Sequence, residues 1–310
     1  MTDEFGLAEE REGAPGDEFE EIDVSDTEAD RIARRQDREF AEFRKRLKDT
    51  EQFKLDDGAF DDATYAAVYK LVQDEHVGAM GGPISTGKEA NVYEAHDAEG
   101  GDVAVKVYRI NASNFKQMRE YLEGDPRFEG IRGDKKAVVL SWTRKEFSNL
   151  QRAAAAGVRV PHPIAVQRNV LVMELIGQEG DAAPTLSDVN VENPETAYEV
   201  VREYVRRLYA AGLVHGDLSE YNIVVYDGEL VVIDVGQAVT IHHPNSDDLL
   251  RRDCRNVANF FARQGADADP DELYDYVTSN ADPHTEGDAQ RENGDGEDDG
   301  TDDADADPGA

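Results

Sequence analysis

The chain has a single cysteine, Cys254, and a single tryptophan. One cysteine excludes an intrachain disulfide and a zinc site built from cysteines. There is no run of 18 apolar residues, so no membrane-spanning helix and no membrane association are expected. The N-terminus is acidic rather than basic, unlike a secretory signal. These absences lead us to expect a cytoplasmic protein. Basic residues are also few: 33 Lys plus Arg stand against 68 Asp plus Glu, a formal net charge of −35. Such a balance argues against general nucleic-acid binding, which needs a basic face. The acidity is densest in the two ends, 1–30 and 281–310. Both are poor in apolar residues and are expected to be disordered. It continues inward, as in Asp56-Asp57 and Asp61-Asp62. With Lys scarce and Arg predominating, the composition fits solubility in a high-salt cytoplasm and a halophilic archaeal source.

What is present is concentrated in His215-Gly216-Asp217-Leu218-Ser219-Glu220-Tyr221-Asn222 and Ile233-Asp234-Val235-Gly236. Asn222 follows Asp217 by five residues and Asp234 by 17, the spacing of a kinase catalytic loop and its metal-binding strand. In that chemistry an Asp takes the proton of the attacking hydroxyl, and an Asn and a second Asp hold Mg²⁺. Asp217 is therefore the candidate base, and Asn222 and Asp234 the candidate metal ligands. The intervening residues suggest strand, Asp227-Gly228 turn, strand, a hairpin that returns Asp234 to Asn222. His215 is expected to be a structural residue of the loop.

Upstream, Ser85-Thr86-Gly87-Lys88-Glu89-Ala90-Asn91-Val92 predicts a tight turn between strands. It approaches a Walker loop, but Glu89 stands where Ser or Thr should ligate Mg²⁺, and a strand rather than a helix follows. A P-loop NTPase is rejected. Backbone amides, the Ser85 and Thr86 hydroxyls, Gly87 and Lys88 remain candidates to hold phosphates, with Val92 beside them. In Asp102–Tyr108, strict alternation puts Lys106 on the face of small Ala104. In a nucleotide site, that Ala admits adenine while the Lys reaches phosphate. Glu146, on a helix expected over Thr143 to Ala156, is the preferred partner for Lys106. Glu120 is the competitor, disfavoured because 111–136 is polar, punctuated by Gly124-Asp125-Pro126 and Gly130, and reads as an insertion. Val170 to Gly177 predicts a buried strand, with Met173 bordering an adenine pocket and Glu174 and Ile176 offering backbone contacts.

The remaining pattern predicts an α+β, two-lobed protein-kinase-like fold. An amphipathic helix over Asp61 to Glu75 precedes an antiparallel β N-lobe. A reduced helical C-lobe follows, with helices opening at Asn193-Pro194, near Asp247 and at Asp269-Pro270. No Ala-Pro-Glu and no long activation segment follow Asp234.

These motifs resemble the RIO family of atypical serine kinases. Ser-Thr-Gly-Lys-Glu-Ala-Asn-Val, His-Gly-Asp-Leu-Ser-Glu-Tyr-Asn and Ile-Asp-Val-Gly-Gln are similar to its type-one subfamily, and no winged-helix pattern points to type two. The resemblance implies a kinase domain over 55–280 (N-lobe 55–176, C-lobe 177–280) between an acidic segment 1–54 with a charged helix and an acidic tail 281–310. It implies ATP with Mg²⁺, or Mn²⁺ as the alternative ion, autophosphorylation and ATP hydrolysis. It further implies a flexible loop over 111–136, an Asp234 able to accept phosphoryl transiently, and a role in small ribosomal subunit maturation. The immature subunit and its rRNA would then be partners. Arg31, Arg34, Arg35, Arg38, Arg44, Lys45, Arg46 and Lys48 could touch rRNA phosphates, but pairing with Asp37, Glu39 and Glu42 makes an exposed, self-paired helix the better reading. Two alternatives differ in class: an ATP-gated assembly factor with little protein-kinase activity, and a small-molecule kinase of the aminoglycoside or choline type, which shares the His-Gly-Asp loop.

Overall fold

The computed structural model describes residues 35, 38–45, 60–111, 115–128, 130, 134–178 and 181–280. The expected acidic ends, and Arg31, Arg34, Arg46 and Lys48, lie outside them. The chain divides into two compact units, 1–43 and 44–310. In the first, the described residues are helical, and Arg35 Nε donates to Glu39 Oε1 at 3.0 Å, an exposed pair one helical turn apart. Among the described residues no helix is long and apolar enough to cross a membrane.

The second unit opens with α1, Asp62–Gln73. Asp61 caps it by accepting from Thr64 N at 2.7 Å, a cap worth about 1 kcal/mol. Its buried face includes Tyr65, Val68 and Leu71, and the helix lies against one edge strand of a five-stranded sheet and that strand's neighbour. The strands are β1 (Ala79–Thr86), β2 (Ala90–His96), β3 (Asp102–Tyr108), β4 (Pro163–Gln167) and β5 (Val170–Glu174), in the order β1-β2-β3-β5-β4 with every neighbour antiparallel. Being central, β3 is covered on both faces, and Val103 to Tyr108 are all buried. The alternation that separates Val103, Val105 and Val107 from Ala104, Lys106 and Tyr108 therefore divides two interiors, not core from solvent.

Within the stretch read as an insertion, the described residues 115–128 form regular structure. It contains α2, Phe115–Glu123, and a 3₁₀ turn, Pro126–Phe128, before α3, Lys135–Ala155. Met118 and Leu122 on α2 bury themselves with Tyr108, Val138, Val139 and Trp142. Met118 and Leu122, one turn apart, dock the helix, with Tyr121 packed beside them. Helix α3 starts well before the expected Thr143, because Asp134 caps it, accepting from Ala137 N at 2.7 Å.

Short ribbons β6 (Gly177–Gln178) and β7 (Asp181–Ala182) lead to the helical lobe. Helix α4, Pro194–Ala210, presents Tyr198, Val201, Val205 and Leu208 to a core shared with Leu250, Val257 and Phe261 of α5, Ser246–Gln264, and with Leu273 and Val277 of α6, Pro270–Ser279. Pro at the first position opens α4 and α6. Between α4 and α5 lie β8 (Leu213–Val214), the hairpin β9 (Ile223–Tyr226) and β10 (Glu229–Val232), and β11 (Val239–Thr240), which pairs with β8. The hairpin turns on Asp227 (φ 49°) and Gly228 (φ 77°), the left-handed pair that a two-residue hairpin turn requires. Residues 235–245 alone separate Asp234 from α5, so no activation segment is present.

Candidate active site

A cavity of about 660 Å³ opens between the sheet and the helical lobe. Of the residues the sequence singled out for nucleotide or metal, Ser85, Gly87, Lys88, Val92, Ala104, Lys106, Met173, Glu174, Ile176, Asn222 and Asp234 line it, as does Glu146. Thr86 does not. Strand alternation turns Ser85 to the cavity and sets Thr86, opposite Asn91, on the other face, which corrects its assignment as a phosphate contact.

The centre of the site is the Lys106 ammonium. Its Nζ donates to Glu146 Oε1 at 2.7 Å and to Asp234 Oδ1 at 2.9 Å. Burial acts to depress its pKa, but Asp234 and Glu146 outweigh burial and hold it well above the ordinary value. In return Lys106 holds the Asp234 carboxyl below its usual range against burial. Glu146, not Glu120, is the partner of Lys106; Glu120 is exposed on α2. Tyr108, on the same strand face as Lys106, donates its hydroxyl to Glu146 Oε2.

Asn222 follows from the loop geometry. Its Nδ2 donates to Asp217 O at 2.8 Å, so its free amide oxygen faces elsewhere. The backbone N of Ile233 donates to Asn222 O at 3.0 Å, and the hairpin thereby sets Asp234 beside Asn222. Asp234 sits in the left-handed region, φ 58° and ψ 54°. Such a conformation in a non-glycine residue costs on the order of 1–3 kcal/mol and persists only where neighbours over-determine it. Among the described residues no cluster of three or more His, Cys, Asp or Glu could hold a metal. One carboxylate and one amide oxygen suit a hard, oxygen-seeking Mg²⁺ that takes its remaining ligands from phosphates and water.

Asp217 stands just outside the cavity lining. Burial raises its pKa and Asp234 and Glu89 add to this, while Arg252 and Gln237 oppose it. Gln237 Nε2 donates to Asp217 Oδ2 at 3.1 Å, and Arg252 Nη2 lies 3.9 Å from Oδ1. His215 is buried; its Nδ1 accepts from Asp217 N at 3.3 Å and its Nε2 meets Ile233 O at 3.2 Å. Burial lowers its pKa, and with both ring nitrogens occupied by backbone it is a structural residue of the loop.

Several residues of the site escaped the sequence. Asp253 of α5 is buried and accepts from Gly216 N at 2.7 Å and Leu218 N at 2.9 Å, fixing the backbone on either side of Asp217. Burial pushes its carboxyl up to about 7, against those two amide donors. The one available signal was a carboxylate on the apolar stripe Leu250, Val257, Phe261. From α3, Lys145 Nζ donates to Gly236 O at 2.9 Å and to Ala238 O, and Asn149 Nδ2 donates to Val235 O and Ala238 O, each at 3.0 Å. Burial lowers Lys145 to about 7. Trp142, Lys145, Glu146 and Asn149 share one helix face by their spacing, so the helix that carries Glu146 also holds the turn after Asp234.

Residues 91–273 match the family model described as the RIO domain. A curated relative from Haloferax volcanii, named RIO-type serine/threonine-protein kinase Rio1, is 70% identical over 93% of this chain and 100% of its own length. The Rio1 of Methanocaldococcus jannaschii is 38% identical over 84% of this chain and 90% of its own. Among solved structures, the Rio2 kinase of Chaetomium thermophilum in an ADP/Mg²⁺–phosphoaspartate complex superposes with a TM-score of 0.56 at 26% identity, covering 71% of this chain and 66% of that one.

Proposed function

This chain belongs to the RIO family of atypical serine/threonine kinases, and we propose from that premise that it binds Mg²⁺-ATP in the cleft and transfers the γ-phosphoryl group to a serine, to its own chain or to water. The observation that carries this reading is the single ammonium of Lys106 bridging Glu146 and Asp234 on the cavity wall. Lys106, braced by Glu146 and Tyr108, grips phosphate oxygens. Glu174 N is committed to His162 O and Ile176 O accepts from Ala183 N, so the adenine edge would meet the Glu174 carbonyl and the Ile176 N–H, beside Met173. Ser85, Gly87 and Lys88 cover the phosphates.

Asp217, oriented by Gln237, takes the proton of the acceptor hydroxyl as its oxygen bonds to the γ-phosphorus and the bond to the β-bridging oxygen breaks. ADP leaves. Mg²⁺, held by Asn222 and Asp234, would neutralise charge on the phosphates. Mn²⁺ meets the same donors. The Asp234 carboxylate, facing the cleft, can also serve as a transient acceptor, forming an aspartyl-phosphate that water then cleaves.

We place this activity in the cytoplasm of a halophilic archaeon, in keeping with the charge of −35, and in maturation of the small ribosomal subunit. A second reading, an ATP-gated assembly factor, is favoured by the short 235–245 connection, which leaves little of the lobe that holds peptides in other kinases. Its test is co-sedimentation at high salt. Asp217→Asn protein with ATP should remain on immature small subunits longer than wild type, because a particle that prefers one nucleotide state shifts that equilibrium by its differential affinity. Equal occupancy, or no association of either protein, would remove the ribosomal role and leave a free-standing kinase.

A further inference from the structure

A chain of polar bonds runs from the turn after Asp234 into the segment between β3 and α3. Asn149 Nδ2 donates to Val235 O and Ala238 O, and its Oδ1 accepts from Arg127 Nη2 at 3.0 Å. Arg127 is gripped in turn by Asp125. Nη2 donates to Asp125 Oδ2 at 2.6 Å, Nε to Oδ1 at 3.0 Å, and the Arg127 backbone N to Oδ1 at 3.1 Å. Asp125 and Asn149 are fully buried, so neither has water as a substitute partner.

Arg127 lies in the 3₁₀ turn that follows α2, and α2 is itself anchored at two places. Met118 and Leu122 pack with Tyr108 and Trp142. Between them Tyr121 stacks on the His243 ring with centroids 6.4 Å apart, and Gly124, just past the helix, abuts that ring so closely that a Cβ would come within 2.2 Å of it. The segment 115–128 thus touches the sheet side and the turn before α5, and sends one guanidinium to the residue that holds the Asp234 turn.

In other kinases the Glu-bearing helix and the metal-binding Asp are set in place by an activation loop. Here residues 235–245 are too few for one, yet Asp234 still adopts a left-handed conformation that needs support from its surroundings. We infer that Arg127 is a positioning residue for the Asp234 carboxylate, acting through Asn149, and that segment 115–128 supplies the brace that sets the affinity for Mg²⁺. This rests on Asp234 being a metal ligand, as proposed above.

The test is a double-mutant cycle in the full chain at high salt with Arg127→Lys and Asn149→Ser. Lysine keeps a charge beside Asp125 but lacks the planar fork that serves Asp125 and Asn149 together. Mg²⁺ is titrated against protein saturated with ADP. Trp142 fluorescence is the readout, since the ring of this sole tryptophan lies against Gly236, where a Cβ would be 3.2 Å from Nε1. Each single variant should raise half-saturating Mg²⁺ by about tenfold, and the double variant by no more than either, as members of one path do. Mg²⁺-free ADP binding should stay within about twofold of wild type. Three results overturn the inference: unchanged Mg²⁺ affinity with only a lowered melting temperature, effects that multiply in the double variant, or an equal loss of Mg²⁺-free ADP binding. Asp234→Ala is the control. If it leaves the Mg²⁺ titration unchanged, the metal-ligand reading itself fails, and a Mg²⁺ effect confined to Asp234→Ala sinks this inference alone.

Discussion

Asp217→Asn should lower phosphoryl transfer by about 10²- to 10⁴-fold, the usual contribution of a positioned general base, while leaving ATP affinity unchanged. The two effects should separate because Asp217, the proposed base, stands outside the cavity lining, whereas Lys106, Met173 and Ile176 lie within it. The substitution should not disturb the loop. Asp253 fixes Gly216 N and Leu218 N, and Asn222 binds the Asp217 backbone carbonyl rather than its side chain. An asparagine oxygen can still accept from Gln237. Wild-type turnover should also fall on the acid side. Burial raises the Asp217 pKa, the base must be ionised to act, and activity is lost as pH drops through that raised value. Single-turnover transfer from γ-labelled ATP measures both. A variant within about a factor of three of wild type would remove Asp217 from the base role.

Asp234→Ala should weaken Mg²⁺-dependent nucleotide binding as well as turnover. Loss of a partner one shell further out commonly costs 10- to 100-fold in metal affinity, so loss of a ligand itself should cost more than about 100-fold. Lys106 would keep its 2.7 Å bond to Glu146, so Mg²⁺-free ATP should still bind. Calorimetric titration of Mg²⁺ into the ADP-bound protein distinguishes the two. The same residue carries the transient-acceptor idea: quenched wild-type reactions should contain a hydroxylamine-sensitive label, absent from the variant. Label found on serine alone at every time point would count against the aspartyl-phosphate.

Much of this site was legible because its parts are local. Asp217 and Asn222 lie on one loop, Asp227-Gly228 dictates the hairpin that returns Asp234 to it, and strict alternation in β3 sets Lys106 beside Ala104. The Lys106–Glu146 pair spans 40 residues but joins two residue types that a buried charge requires of each other. The parts that escaped are polar groups whose partners are backbone carbonyls and amides far along the chain. Asp253, Lys145 and Asn149 satisfy main-chain atoms at separations of 35 to 93 residues, and nothing in local periodicity marks such a bond. The helix within 111–136 was not legible for a related reason. The Gly and Pro punctuation of that segment is real, yet Met118, Leu122 and the Arg127–Asn149 bond tie residues 115–128 down through tertiary contacts that outweigh local propensity. Thr86 was grouped with Ser85 as a turn hydroxyl, but both lie in β1, where neighbouring residues face opposite ways.

The central claim is that this cleft moves phosphoryl groups from Mg²⁺-ATP with Asp217 as base. The most direct measurement incubates the purified protein at high salt with γ-labelled ATP, with and without Mg²⁺, and follows the label with no added protein substrate. The account predicts label on the protein and in inorganic phosphate, dependent on Mg²⁺ and nearly abolished in Asp217→Asn. Intact ATP in the presence of Mg²⁺, or turnover that persists without the ion and in the variant alike, would contradict it.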